Sequence, residues 1–314
     1  MPTSRLPCRR RYDSAMPDQP RVVSLLPSAT EIVCELGGRD LLVGRSHECD
    51  HPGSVNELPV CSFSRLDAGA SSRAIDDEVK DLLRDAVSLY GLYTDRIRDL
   101  RPTYVITQTQ CDVCAVSLTD VQAALNEQLG DVKLIALAPQ TFDEVLTDHQ
   151  TVADALGLSV NAFLRSTDER LARLTVSASP PSVLCIEWTD PPMVAGNWVP
   201  GLVHRAGGQP LLVSEGEHSP YITAEQIADC DADVVVFMPC GFNLPRTIEE
   251  AAAVIGQPPF ASLRAVREKR VFAVDASAFF NRPGPRLVDS IEILSAIFAG
   301  HSDGDGSRWS RLTF

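Results

Sequence analysis

The chain has 314 residues, 44% of them hydrophobic and 22% charged, with a formal net charge of −14. That length suits two domains of ordinary size, and the composition is that of a folded globular chain. The negative charge argues against a nucleic-acid partner, and no run approaches the roughly 20 apolar residues needed to cross a bilayer. In chain order, residues 1–19 read as a disordered leader, in which Met16 is an alternative start. The basic cluster Arg9-Arg10-Arg11 is followed by no signal-peptide core. A reducing, cytoplasmic home is therefore expected, with a periplasmic one only if the true start lies elsewhere.

Arg21 to Leu26 is expected to form a buried strand, and Ser28 with Glu31 has capping-box spacing for a helix ending at Gly37-Gly38. Leu41 to Gly44 is a second short strand, followed by a polar loop. Residues 73 to 99 show helical periodicity, Tyr104 to Thr107 is a strand, and Ser117 to Gln128 is a helix. Lys133 to Leu137 is a further strand. A long helical stretch spans about Thr141 to Leu174, with Gly157-Leu158-Ser159 as a nick. After Pro180-Pro181 the alternation restarts: strands at Val183 to Trp188, Leu211 to Val213, Val234 to Phe237 and Val271 to Val274 are interleaved with helices. The last helix runs from Pro285 to Phe298.

Alternation on both sides of one long helix implies an α/β fold: two Rossmann-like lobes joined by a backbone helix, with a ligand cleft between them. The expected division is an N-terminal lobe over 20–140, a linking region over 141–178, a C-terminal lobe over 179–300 and a disordered tail over 301–314.

The most informative segment is Phe279 to Ser290, where aromatic rings, Asn281 and Arg282 follow a strand and precede a proline-started helix. Adjacent phenylalanines gain nothing in water, so either they face a ligand or they cap the core. Trp188, Met193, Asn197 and Trp198 sit around another strand end, where flat rings and a thioether suit a large, partly apolar ligand. Core packing is the expectation for Trp188 more than for Trp198. Tyr221 would close the same wall.

Nine cysteines, an odd number, do not form a disulfide framework. Cys34, Cys185 and Cys230 read as core thiols. Cys111-x-x-Cys114 precedes an expected helix, where the dipole favours a thiolate. Together with His47 and Cys49 it would also make a soft tetrahedral metal set. No phosphate-cradling glycine loop and no nucleophile elbow occur, and His149 and His301 read as solvated.

Three stretches then point to a family: Arg21 to Glu31, Val43-Gly44 leading to Cys49-Asp50-His51-Pro52, and the Arg282 to Arg286 loop. They resemble the vitamin B12 and iron-siderophore substrate-binding proteins (periplasmic-type, with a helical backbone), and more narrowly the cobalamin-binding subgroup serving ABC transporters. The similarity runs in order over about residues 20 to 299. It implies a monomeric, non-enzymatic protein holding a corrinoid such as cobalamin between its lobes, with little hinge motion and an ABC permease as partner. It places His47, Cys49, Met193, Asn197, Trp198, Tyr221, Phe279, Phe280, Asn281 and Arg282 at the ligand. His47 or Cys49 would approach the chelated metal. Glu48, Glu57 and Glu215 are among many carboxylates available to a basic partner. The competing expectation is a cytosolic metal- or thiol-dependent protein, corrinoid-processing or redox, built on the same fold and using Cys49, Cys111 and Cys114.

Overall fold

The computed structural model describes residues 19–84, 89–109, 132–174, 179–301 and 306–314. The expected helix over 117–128 and the Cys111/Cys114 pair lie outside these residues.

The first lobe is built on β1 (Val22–Ser24), β2 (Leu42–Arg45), β5 (Tyr104–Gln108) and β6 (Lys133–Leu137). They form a parallel sheet in the order β2-β1-β5-β6. Successive strand residues point to opposite faces, so Val22 and Ile106 enter one core cluster while Val23 and Val105 enter another. Covering both faces of a parallel sheet is what makes such short strands nearly continuous apolar runs. Helix α1 (Pro27–Glu35) packs Ile32 and Val33 onto the first of these faces. Between β2 and β5 the chain forms an antiparallel ribbon, β3 (Ser62–Ser64) with β4 (Tyr90–Leu92), and helices α2 (Ser72–Arg84) and α3 (Thr94–Leu100). The helical periodicity read over 73 to 99 is thus interrupted by β4, a three-residue strand too short to register as a change of period.

The second lobe carries β7 (Ser182–Thr189), β8 (Pro192–Val194), β9 (Gln209–Pro210), β10 (Val234–Phe237), β11 (Val271–Val274) and β12 (Trp309–Arg311). Its order is β12-β11-β10-β7-β8, with β9 also beside β7. The run Val234 to Phe237 again divides by parity: Val234 and Val236 face one cluster, Val235 and Phe237 the other. Helices α6 (Val199–Arg205), α7 (Ala224–Cys230), α8 (Leu244–Ile255), α9 (Arg264–Arg267), α10 (Ala276–Phe279) and α11 (Leu287–Phe298) complete this lobe; α4 and α5 belong to the link described next. The tail expected to be disordered instead supplies β12, antiparallel to β11, and buries Trp309 at 3% exposure. Three large apolar residues, Trp309, Leu312 and Phe314, marked it as more than a linker, and the first two are buried.

The link consists of α4 (Phe142–Leu156) and α5 (Asn161–Leu171). A full capping box starts α4: Thr141 Oγ1 accepts from the Glu144 amide, and the Glu144 carboxylate accepts from the Thr141 amide. Gly157, at φ +70°, ends α4 in the left-handed conformation that glycine adopts freely, so the nick becomes a true break between two helices. Helix α4 bridges because its two ends serve different cores. Phe142 and Val145 join the second-lobe cluster, while Val152, Ala153 and Leu156 join the first. The capping box expected at Ser28 and Glu31 does not form. Helix α1 begins at Pro27 without a side-chain cap, because Glu31 is buried and engaged elsewhere.

His149 corrects the expectation of a solvated helix face. It has no exposed surface and stacks on Phe163 of α5, with centroids 4.1 Å apart and planes 6° from parallel. Its Nδ1–H donates to the Val145 carbonyl at 2.7 Å, and Nε2 is buried without a partner. Burial holds its pKa down at about 4, against an ordinary 6.5. The unfolded chain therefore binds an extra proton between these values. This contribution to stability is complete above pH 6.5 and is lost as pH falls toward 4; in total it is on the order of 3 kcal/mol. In His149→Phe, which keeps the stacked ring, the fall in urea midpoint between pH 6.5 and 4.5 should be shallower than in the parent protein. An unchanged slope would assign the acid lability to other groups.

Candidate functional site: the seam between the lobes

In parallel α/β sheets, ligand sites form beyond the carboxyl ends of the strands. In the first lobe those ends release the start of α1 and the loop Ser46 to Pro52. In the second they release the turn from β7 to β8, the stretch Met238 to Asn243, and α10 with the loop to α11. These segments meet in two clusters of contacts.

At one cluster, Arg282 and Arg286 cross to the first lobe and converge on Glu31. Arg286 donates from Nε and Nη2 to the two carboxylate oxygens, at 2.8 and 2.5 Å. Arg282 Nη1 reaches Glu31 at 3.2 Å and Asp50 at 2.5 Å, and its Nη2 donates to the Glu48 carbonyl. The Glu31 side chain is 1% exposed and that of Arg282 10%. Burial alone would lower the pKa of Arg282, but Asp50 and Glu31 outweigh it and hold the guanidinium charged. Burial likewise works to raise Asp50, yet Arg282 keeps its carboxyl below the ordinary range. Gly284 of this loop packs against Ser28 at the start of α1.

At the other cluster, the start of α2 reaches the second lobe. The Ser72 carbonyl accepts from Trp188 Nε1 at 3.2 Å, and its hydroxyl donates to Glu250 at 2.5 Å. Tyr221 donates to Asp76 at 2.6 Å, and Lys80 lies 4.8 Å from the Tyr221 ring centroid while pairing with Asp76. Arg73 pairs with Asp190 and Arg246 with Glu250, and Arg246 also donates to the Ala70 carbonyl.

The residues expected at a ligand divide between this seam and the cores. Arg282 and Tyr221 hold the lobes together. Met193 is half-buried on β8, facing Trp188 in register and bridged to the Tyr221 backbone. Asn197 stands at φ +51° at the turn into α6, its Oδ1 buried without a partner. Phe279 lies half-buried beneath the Arg286 guanidinium, and Asn281 Oδ1 accepts from the Gly241 amide. His47 is half-buried beside Tyr90, its Nδ1 2.9 Å from Ser62 Oγ and its Nε2 buried without a hydrogen bond, 4.0 Å from the Glu48 carboxylate. Burial, reinforced by Arg45, lowers its pKa.

Three others are core residues, contrary to expectation. Phe280 has no exposed surface, and Trp198 packs in the same cluster with its Nε1 donating to the Phe280 carbonyl at 2.8 Å. The two tryptophans thus exchange roles, because Trp188 rather than Trp198 reaches the other lobe. Cys49 is 1% exposed, its Sγ between Thr30 Oγ1 at 3.0 Å and Ser46 Oγ at 3.2 Å. Burial raises its pKa, so it stays a thiol and is poorly suited to ligate metal or act as a nucleophile. No group of three or more metal-type side chains converges among the described residues. Glu215 is likewise internal: it accepts from the Phe142 amide at the start of α4 and pairs with Arg205 at 3.6 Å.

The sequence marks Glu31 only as a helix cap, and nothing in it points to Ser72, Asp76 or Glu250. For Glu31 the available signal was a carboxylate inside an otherwise apolar helix face, between Thr30 and Ile32-Val33. Replacing it with Gln would leave two buried guanidinium groups short of their counter-charge. Glu31→Gln should therefore cost about 3 kcal/mol in urea unfolding, whereas Asp190→Asn, in an exposed pair, should stay within about 0.5 kcal/mol. Equal effects would show that the Glu31 cluster is no more than a surface ion pair.

The comparisons agree with this architecture. A family profile described as periplasmic binding protein matches residues 22–278. Among solved structures, the chain is similar to a periplasmic heme-binding protein, RhuT, from Roseiflexus sp. RS-1, with TM-score 0.64, 22% identity and coverage of 89% of this chain and 98% of that one. A periplasmic heme-binding protein from Pseudomonas aeruginosa gives TM-score 0.63 and 23% identity over 90% and 94% of the two chains. The periplasmic vitamin B12 binding protein BtuF of Vibrio cholerae gives 0.57 and 20% over 89% and 96%. At these identities the likeness is one of fold. Comparison with curated protein sequences finds no match. The family match overturns the cytoplasmic home expected from the N-terminal residues, since it is to extracytoplasmic binding proteins. An α/β chain of two lobes bridged by a helix, matched over most of its length, belongs to the periplasmic binding protein family.

Proposed function

We propose that this protein captures a corrinoid between its lobes and delivers it to an ABC permease. The family is one of substrate-binding proteins of ABC transporters, and its solved relatives include heme and vitamin B12 binders. The observation that carries the reading is the concentration of half-buried Met193, Phe279, Asn281 and His47, with Tyr221, on segments leaving the strand ends of both lobes. A large chelate needs that combination: polarizable and aromatic area for its faces, and amides for its rim.

His47 is the residue through which this seam would touch the metal. A neutral imidazole oriented by a hydrogen bond at one nitrogen, with the other uncommitted, suits axial ligation. Its Ser62 contact, and an Nε2 that makes no hydrogen bond, support that reading, and Cys49 lacks both features.

Titration of the reduced protein with cyanocobalamin, followed by tryptophan fluorescence and the visible corrinoid bands, should saturate near one to one. Folded protein that shows no saturable binding would overturn the corrinoid reading. With aquocobalamin, whose axial position exchanges, His47→Ala should alter the bound spectrum. An unaltered spectrum at full occupancy would make His47 a wall residue.

A further inference from the structure

We infer that the seam selects chelates with uncharged or cationic rims and discriminates against rims of carboxylates, such as that of a dipropionate porphyrin. The inference rests on the proposed function and narrows its ligand class. Among the described residues, each cation that bridges the lobes is already matched by a carboxylate of the chain: Arg282 by Asp50 and Glu31, Arg286 by Glu31, Arg73 by Asp190, Lys80 by Asp76, and Arg246 by Glu250. The two that lie deepest, Arg282 and Arg286, spend their donors on Glu31, Asp50 and the Glu48 carbonyl. Arg45, at the mouth of the His47 loop, turns both terminal nitrogens to the carbonyls of Ser46, Cys49 and Asn56.

A carboxylated rim entering this seam would meet fixed carboxylates whose guanidinium partners are already bonded. It would pay for desolvation without gaining an ion pair. Neutral groups fare differently. Asn281 uses its amide oxygen on Gly241, leaving its two N–H donors for a ligand carbonyl, and Asn197 has a buried Oδ1 without a partner for a ligand N–H. An uncharged amide therefore finds both donors and an acceptor, whereas a carboxylate can use only the Asn281 donors and faces repulsion from Asp50 and Asp190.

The test holds the macrocycle constant and changes only rim charge. The full chain is titrated with cyanocobalamin, with a cyanocobalamin derivative in which three peripheral amides are hydrolysed to carboxylates, and with ferric protoporphyrin IX. Titrations are run at low salt and at 0.5 M salt. The tricarboxylate and the porphyrin should each bind at least about tenfold more weakly than the amide form, and the gap should shrink as salt screens the repulsion. Asp190→Asn, which releases the exposed Arg73, should narrow the gap about two- to threefold at low salt. A tricarboxylate or porphyrin that binds as tightly as the amide form overturns the selectivity while leaving a chelate-binding function standing. Failure of all three to bind overturns the proposed function, and the selectivity with it.

Discussion

Glu31 carries two guanidinium groups from the opposite lobe, and the mutual position of the lobes depends on that carboxylate. Withdrawing three charges from water is costly, and such a cluster forms only where good geometry returns the cost. The return is visible in paired bonds from Arg286 and in the second carboxylate, Asp50, that shares Arg282. The surrounding cores supply the net stability. What the ionic cluster contributes is a defined arrangement, since the lobes can slide apart only by stranding buried charge.

The linking helices restrict the remaining freedom. Helix α4 is held at its start by Glu215, and Asp143 in its first turn pairs with Arg205 of α6. Arg170 of α5 pairs with Asp289 and Glu292 of α11. Both helices are therefore fastened to the second lobe by side chains as well as by their apolar faces. The His149–Phe163 stack fastens them to each other. These contacts tie the link to the second lobe more firmly than its apolar faces alone would.

Much of this was legible from periodicity. The strand runs at Val183, Val234 and Val271 announced a sheet covered on both faces, and the structure forms them within a residue or two. The Arg282 to Arg286 loop was recognised as important, although its arginines grip protein rather than facing outward. What stayed hidden depends on distance in space. Glu31 looked like a helix cap because capping spacing is local, while its partners lie some 250 positions away. Trp188 and Trp198 had the same local character, and only the tertiary arrangement decided which one met Ser72. Cys49 appeared exposed because a polar loop surrounds it, yet Thr30 and Ser46 fold over its sulfur.

Strand β12 adds a consequence of timing. Trp309 lies edge-on to Phe272 within one core cluster of the second lobe, and Leu312 belongs to the other. Neither cluster closes until these residues arrive, long after the first lobe's sheet has emerged. A growing chain therefore presents one lobe ready to collapse and another with an open flank. A chain cut before Trp309 would lack both the strand that pairs with β11 and a buried residue of each second-lobe cluster.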